Sequence, residues 1–151
     1  MAIFSRINNK KGISLVFVVL VMLVLSILSV AVFTLFTSNM RQAQLQENHI
    51  RAHYVAISGV DVTFSAIMQG TASNRLLNTY FNKPISTTVN PLTDSLSLDG
   101  GDVEVTVSSY IESGNRWILI TSTGTLTDGS GVSSTVQMRF RVEYPEIQQW
   151  N

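Results

Sequence analysis

His49 and His53 stand four residues apart, the spacing that sets two imidazoles on one face of a helix and could present them to a metal ion. No third ligand is evident nearby and no HExxH run accompanies them, so the pair reads as part of a solvated helix face. Asp94, Asp99, Asp102 and Asp128 fall in turn-like segments and could offer oxygens to calcium. "DGGD" at 99–102 lacks the ligand spacing of an EF-hand loop, and turn formation accounts for these aspartates more simply. Ser130 is flanked by glycines, yet GSG is not the GxSxG elbow of a hydrolase, and only two histidines exist to serve as bases. With no cysteine in the chain, disulfides and thiolate metal sites are excluded. These residues therefore predict no catalytic, cofactor-binding or metal site, and the chain is not read as an enzyme.

The elements that carry these residues are more informative. Charged residues make up only 13% of the chain and the formal net charge is zero, so the electrostatic footprint of a nucleic-acid binder is missing and no direct nucleic-acid contact is expected. The charge is unevenly placed: Arg6, Lys10 and Lys11 make the first twelve residues basic, which leaves the remainder mildly acidic. Directly after them comes "GISLVFVVLVMLVLSILSVAVFTLF", without a charged residue from Gly12 to Met40. Between Ile13 and Phe36 the polar side chains are Ser14, Ser26, Ser29 and Thr34. A run of this length is sufficient to span a bilayer as a helix, since about 20 apolar residues are needed. Its many leucines, valines, isoleucines and phenylalanines favour insertion by about 0.3 to 0.6 kcal/mol each near the centre. By the positive-inside rule the basic end is cytoplasmic and the larger part of the chain lies outside.

Three fates fit such a segment. It could be a plain signal anchor, or a secretory signal cut at the small-x-small sequence Ser29-Val30-Ala31. The apolar run continues past that cut through Phe36, which is unexpected for a mature N-terminus. The third fate comes from the junction itself. A short basic leader ending Lys10-Lys11-Gly12, followed at once by a long apolar helix, resembles the class III signal of type IV prepilins. That resemblance implies cleavage by prepilin peptidase between Gly12 and Ile13 on the cytoplasmic side, N-methylation of Ile13, and retention of the apolar helix in the product. It also implies an assembly platform and other pilin or pseudopilin subunits as partners.

Beyond Phe36 the pattern becomes amphipathic. Ile50, Tyr54, Ile57, Phe64 and Ile67/Met68 recur at steps of three, four and seven and predict one stripe of a helix that runs nearly unbroken from about 13 to about 69. No proline precedes Pro84, and after Gly12 the next glycine is Gly59. The spacing Ala52-x-Tyr54-x-Ala56-x-x-Gly59 is similar to the segment that follows the membrane helix in PilX-like minor pilins and related pseudopilins, where small residues allow close helix packing.

Residues 70–101 read as a connector, with "NRLLNTYFN" as a short helix capped by Asn74 and stopped by Pro84. Thereafter the period becomes two. Val103, Val105 and Val107, then Ile118 and Ile120, then Val136, Met138, Phe140, Val142 and Tyr144 alternate with polar residues, with turns at "ESGN" and "DGSG". The expected fold is α+β and pilin-like: a leader at 1–12, a membrane half-helix at 13–36, an amphipathic half at 37–69, the connector, and an antiparallel meander of at least three strands at 102–151. Trp150 is expected to fold back on a sheet edge or to meet a neighbouring subunit.

Phe17 departs from the family. It occupies the fifth position of the implied mature chain, where most type IV pilins carry a glutamate thought to pair with the methylated amine of an adjacent subunit. PilX-like proteins and the tip pseudopilin of type II secretion share this lack. The resemblance therefore points to a minor subunit at the tip or in the initiation complex of a pilus-like, competence or secretion filament. Within the filament, Ser26, Ser29, Ala31 and Thr34 are the expected small or hydroxyl positions at helix contacts. The alternative is a bitopic membrane protein whose external binding module never assembles.

Overall fold

A computed structural model describes residues 10–71 and 73–151, with side chains from Ser14 onward. The chain divides into two compact units, one ending at Gln44 and the other spanning Leu45–Asn151. A long helix, α1 (Lys10–Met68), supplies most of the first and opens the second. After Gly12 in its opening turn, neither proline nor glycine interrupts it before Gly59, so the backbone ladder has nothing to break it there.

In the second unit, α1 packs on a five-stranded antiparallel sheet of β1 (Leu92–Leu98), β2 (Gly101–Glu112), β3 (Asn115–Leu126), β4 (Ser133–Arg141) and β5 (Gln148–Trp150). The strand order is the chain order, a simple meander. Its turns follow from local chemistry. Asp99-Gly100 closes the Leu98↔Gly101 pair with Gly100 at φ 95°, and Ser113-Gly114 closes Glu112↔Asn115 with both residues at positive φ, the signature of a type I′ hairpin. The β2–β3 register then runs without slip from Glu112↔Asn115 to Gly101↔Leu126. Val103, Val105 and Val107, Ile118 and Ile120, and Val136, Met138 and Phe140 are buried as their alternation predicts.

The face that α1 presents to the sheet overlaps the predicted stripe only in part. Ala52, Val55, Ala56, Val60 and Ile67 are buried, while Ile50 and Tyr54 stand 50% and 65% exposed. Ile57, Phe64 and Met68 pack at the margin of the core, with Phe64 edge-on to Phe140 at 5.2 Å. The reason is steric. A Cβ on Gly124 would lie 2.6 Å from the Ala56 nitrogen and 2.8 Å from the Ala52 oxygen, so helix backbone rests directly on β3. On the other side of the seam, a Cβ on Gly59 would collide with Val103 and come within 2.5 Å of Ser122 Oγ. Only small side chains fit at this spacing, so Ile50 and Tyr54 are turned away, while Phe64 and Ile67 reach the core further along the helix. Ala52, Ala56 and Gly59 thus do form a close-packing seam; Tyr54 takes no part in it.

Three further expectations are corrected. The segment 70–101 is not all connector, because β1 lies inside it and pairs with β2 over its whole length. Asn74 does not cap a helix: its Oδ1 accepts from the Thr71 amide and hydroxyl, and the short π-helical turn Leu77–Phe81 starts after Leu76 with no side-chain cap. β4 ends at Arg141; Val142 stays in register, its amide donating to the Arg116 carbonyl, and is buried as predicted, but Tyr144 is exposed at a turn closed by the Ile147 amide onto the Tyr144 carbonyl. Pro145 bends the chain there and ends the alternation.

Arg116 ties the remaining loop down. Buried at the start of β3, it donates through Nη2 to the carbonyls of Pro84 and Thr87 at 2.7 Å each, through Nε to Lys83 at 3.2 Å, and through Nη1 to Ser109 Oγ at 2.8 Å. No carboxylate is among these acceptors; carbonyl dipoles satisfy the guanidinium.

Candidate functional site

The feature with most functional content is the first part of α1. Among the described residues, α1 is the one helix long and apolar enough to cross a membrane by length and composition. From Leu15 to Phe36 its large apolar side chains are all exposed, Phe17 at 65% and Phe33 at 68%. Such a continuous apolar surface far exceeds what a water-facing helix carries, and it calls for lipid or for other apolar helices.

Three of its hydroxyls are satisfied within the helix. Ser26 Oγ donates to the Met22 carbonyl, Ser29 Oγ to Leu25 and Thr34 Oγ1 to Val30, each at 2.8 Å and each one turn back in the same helix. The four positions expected at helix contacts do not gather into one seam. At 3.6 residues per turn, Ser26, Ser29, Ala31 and Thr34 spread over about 200° of the helix circumference. Gly12 and Ile13 lie in the opening turn of α1, where side chains are outside the described residues, as is all of the predicted leader up to residue 9.

His49 and His53 are both exposed, and His53 Nδ1 sits 3.5 Å from Ser134 Oγ. Among the described residues no group of three or more His, Asp or Glu could hold a metal ion. Three of the four candidate aspartates are engaged locally: Asp94 Oδ1 accepts from the Ser95 amide at 2.9 Å, Asp102 Oδ1 from Ser97 Oγ at 2.8 Å, and Asp128 Oδ1 from the Ser130 amide at 2.9 Å. Bonds from the Ser130 side chain and backbone hold the Asp128 carboxyl below its ordinary range. Ser130 therefore stabilises a turn between Gly129 and Gly131, both at positive φ.

Trp150 pairs with Met138 on the β4 edge and remains 47% exposed. A cluster that the alternating pattern did not single out lies on the sheet face turned away from α1. Trp117 is buried there between the guanidiniums of Arg139 and Arg141, each 5.0 Å from its ring centroid. Arg139 also donates to Gln149 Oε1 at 2.8 Å and to the Tyr110 hydroxyl at 3.2 Å, with Glu112 at 3.4 Å. The Tyr110 bond, aided by the Glu112 charge, keeps this guanidinium even more firmly protonated than usual. The sequence signal was the Arg-x-Arg of β4 across from a strand-borne tryptophan, legible only once register is known.

Neither a protein-family model nor a curated protein matches this chain.

Proposed function

We propose that the chain is a prepilin-like minor subunit of a type IV pilus-like, competence or type II secretion-like filament. In this reading prepilin peptidase cuts after Gly12, Ile13 is N-methylated, and residues 13–36 hold the product in the cell membrane with the head outside. An assembly platform then draws it into a pilus or pseudopilus beside other pilin or pseudopilin subunits. The observation that carries the reading is the unbroken helix whose first half is apolar on every side and whose second half packs through Ala52, Ala56 and Gly59 onto an antiparallel sheet. A segment whose Ser26, Ser29 and Thr34 hydroxyls are bonded internally can leave lipid for a core of neighbouring apolar helices without exposing those groups to either. Phe17, which puts no carboxylate into that core, supports a place at the tip or in the initiation complex.

N-terminal sequencing of the protein extracted from membranes tests the reading. A start at methylated Ile13 is expected. A start at Val32 would make it an exported domain with its signal removed, and retained Met1 or Ala2 would make it a plain anchor; either result overturns prepilin processing.

A further inference from the structure

We propose that the open edge of β1 is a docking site for an extended segment of another polypeptide, one that turns an apolar–x–basic–x–apolar pattern toward the head. The inference stands on the head alone and does not rest on filament assembly.

β1 is the outermost strand of the sheet, and its seven residues pair with β2 without a bulge. The tight turn at Leu98↔Gly101 makes that a hydrogen-bonded pair, so by antiparallel alternation Leu92, Asp94, Leu96 and Leu98 turn their backbone groups to β2. Thr93, Ser95 and Ser97 turn theirs outward. Among the described residues no backbone group from elsewhere in the chain bonds to this edge. Natural edges are usually blunted by lysine, proline, a bulge or a short strand, and none of these occurs within Leu92–Leu98. The one guard is Asp94, whose Oδ1 accepts the Ser95 amide at 2.9 Å.

A groove of about 230 Å³ runs beside this edge, between β1 and the helix, with Val62, Ala66, Leu76, Leu92 and Leu96 on its walls and Asp94 among its lining. Val62 and Leu76 remain 45% and 37% exposed although they line a cleft of the core. A strand added to β1 would run about 4.8 Å away and point alternate side chains to each face. Its backbone would satisfy Thr93, Ser95 and Ser97, and every second side chain would cover the groove, the division of labour of strand addition.

Asp94 states the charge of the occupant. It shares a face with Leu92 and Leu96 and lies between them, and no ion pair among the described residues neutralises it. An incoming carbonyl that takes over the Ser95 amide releases the carboxylate beside the groove, where a lysine or arginine flanked at i±2 by apolar residues would meet it. A second copy of β1 fails this requirement, because it presents Leu-x-Asp-x-Leu, an acid where the site needs a base.

The test uses the full chain in detergent micelles and a fluorescein-labelled peptide with the core Val-Thr-Lys-Thr-Val, followed by anisotropy and by amide hydrogen exchange. Saturable binding is expected, with new protection at Thr93, Ser95 and Ser97 and none along β4. Glutamate in place of the peptide lysine is expected to weaken binding about tenfold, one exposed attraction exchanged for one repulsion. Asp94→Lys should reverse that preference. Ser95→Pro, which removes an outward amide at an edge position that tolerates proline, should abolish binding while the melting temperature changes little. Absence of binding to the folded protein, protection on the β4 edge, failure of the charge reversal, or β1-mediated self-association in place of peptide binding each overturns the proposal.

Discussion

Gly124→Ala tests the central packing claim, that helix backbone rests on strand backbone. The new methyl would meet the Ala56 nitrogen at 2.6 Å, the Ala52 oxygen at 2.8 Å and Val55 Cγ1 at 3.0 Å. Favourable carbon contacts lie near 3.5 to 4.0 Å, so the helix must lift by roughly 1 Å along the seam. Overpacking of this kind costs about 1 to 3 kcal/mol, against which alanine's stiffer unfolded chain returns about 0.5 to 1. The net loss is about 1 to 2 kcal/mol, a fall in Tm of roughly 4 to 8 °C per kcal/mol for a domain of this size. Thermal unfolding of the full chain in detergent, followed by Trp117 fluorescence, reads it out. A companion change separates backbone contact from side-chain crowding. Val55→Ala removes the Cγ1 contact but neither of the backbone contacts, so adding it to Gly124→Ala should not restore stability. A Gly124→Ala protein that melts with wild type, or a full rescue by Val55→Ala, refutes the seam.

Ser122 Oγ is fully buried against the seam with no hydrogen-bond partner among the described residues, so Ser122→Ala should leave stability unchanged or raise it by about 1 kcal/mol in the same melt. Arg116→Met should cost about 3 kcal/mol or more and open Asn82–Asn90 to limited proteolysis, since it orphans the carbonyls of Lys83, Pro84 and Thr87. Asp128 has its folded pKa depressed by Ser130, so its contribution to the β3–β4 turn is present above the ordinary carboxylate range and lost as pH falls through the lower folded value; protection of the Ser130 amide, its exchange rate taken relative to the intrinsic rate at each pH, should fall on acidification in wild type and be low at all pH in Asp128→Ala. If the leader is removed as proposed, Gly12→Leu should leave a product that still carries residues 1–12, visible as a larger intact mass.

Much of this fold is written in local pattern. The alternation in Val103–Val107, Ile118–Ile120 and Val136–Phe140 places each side chain on its observed face, and the Gly-containing turns at 113–114 and 128–131 fall where the register needs them. β1 was hidden because only Leu92, Leu96 and Leu98 are apolar and Asp94 breaks the alternation, as suits a strand with one open edge. Part of the helix face, at Ile50 and Tyr54, was misjudged for a different reason. A stripe drawn through the largest apolar residues assumes that large side chains mediate packing, whereas Gly124 and Gly59 bring the backbones so close that alanines fill the contact. No pattern within α1 discloses a glycine on a strand some seventy residues later. The Trp117 cluster was equally illegible, since Arg139 and Arg141 reach that ring only through the β3–β4 register.

The apolar half of α1 and the head place opposite demands on their side chains, and the hydroxyl positions show how one helix meets both. In Ser26, Ser29 and Thr34 the hydroxyl folds back onto a carbonyl four residues earlier, so each presents only carbon and an already engaged oxygen to its surroundings. Such a surface does not distinguish lipid tails from the apolar flank of another helix, because dispersion contacts of similar strength are on offer from both. A carboxylate at position 17 would remove that indifference: an ionised group in the apolar run costs up to about 2.5 to 3.5 kcal/mol at the bilayer centre, and less toward this end of the run, unless a partner neutralises it, and so would commit the helix to one cationic neighbour. With Phe17 there is no such commitment. Within the proposed filament the segment is free to pack against whichever apolar helix adjoins it, and partner choice must come from the head, where the β1 edge and Asp94 supply direction and charge. Quantitative mass spectrometry of sheared filaments decides whether that freedom belongs to a specialised subunit. A low ratio to the major subunit is expected, and dominance of this chain would contradict the role assigned to Phe17.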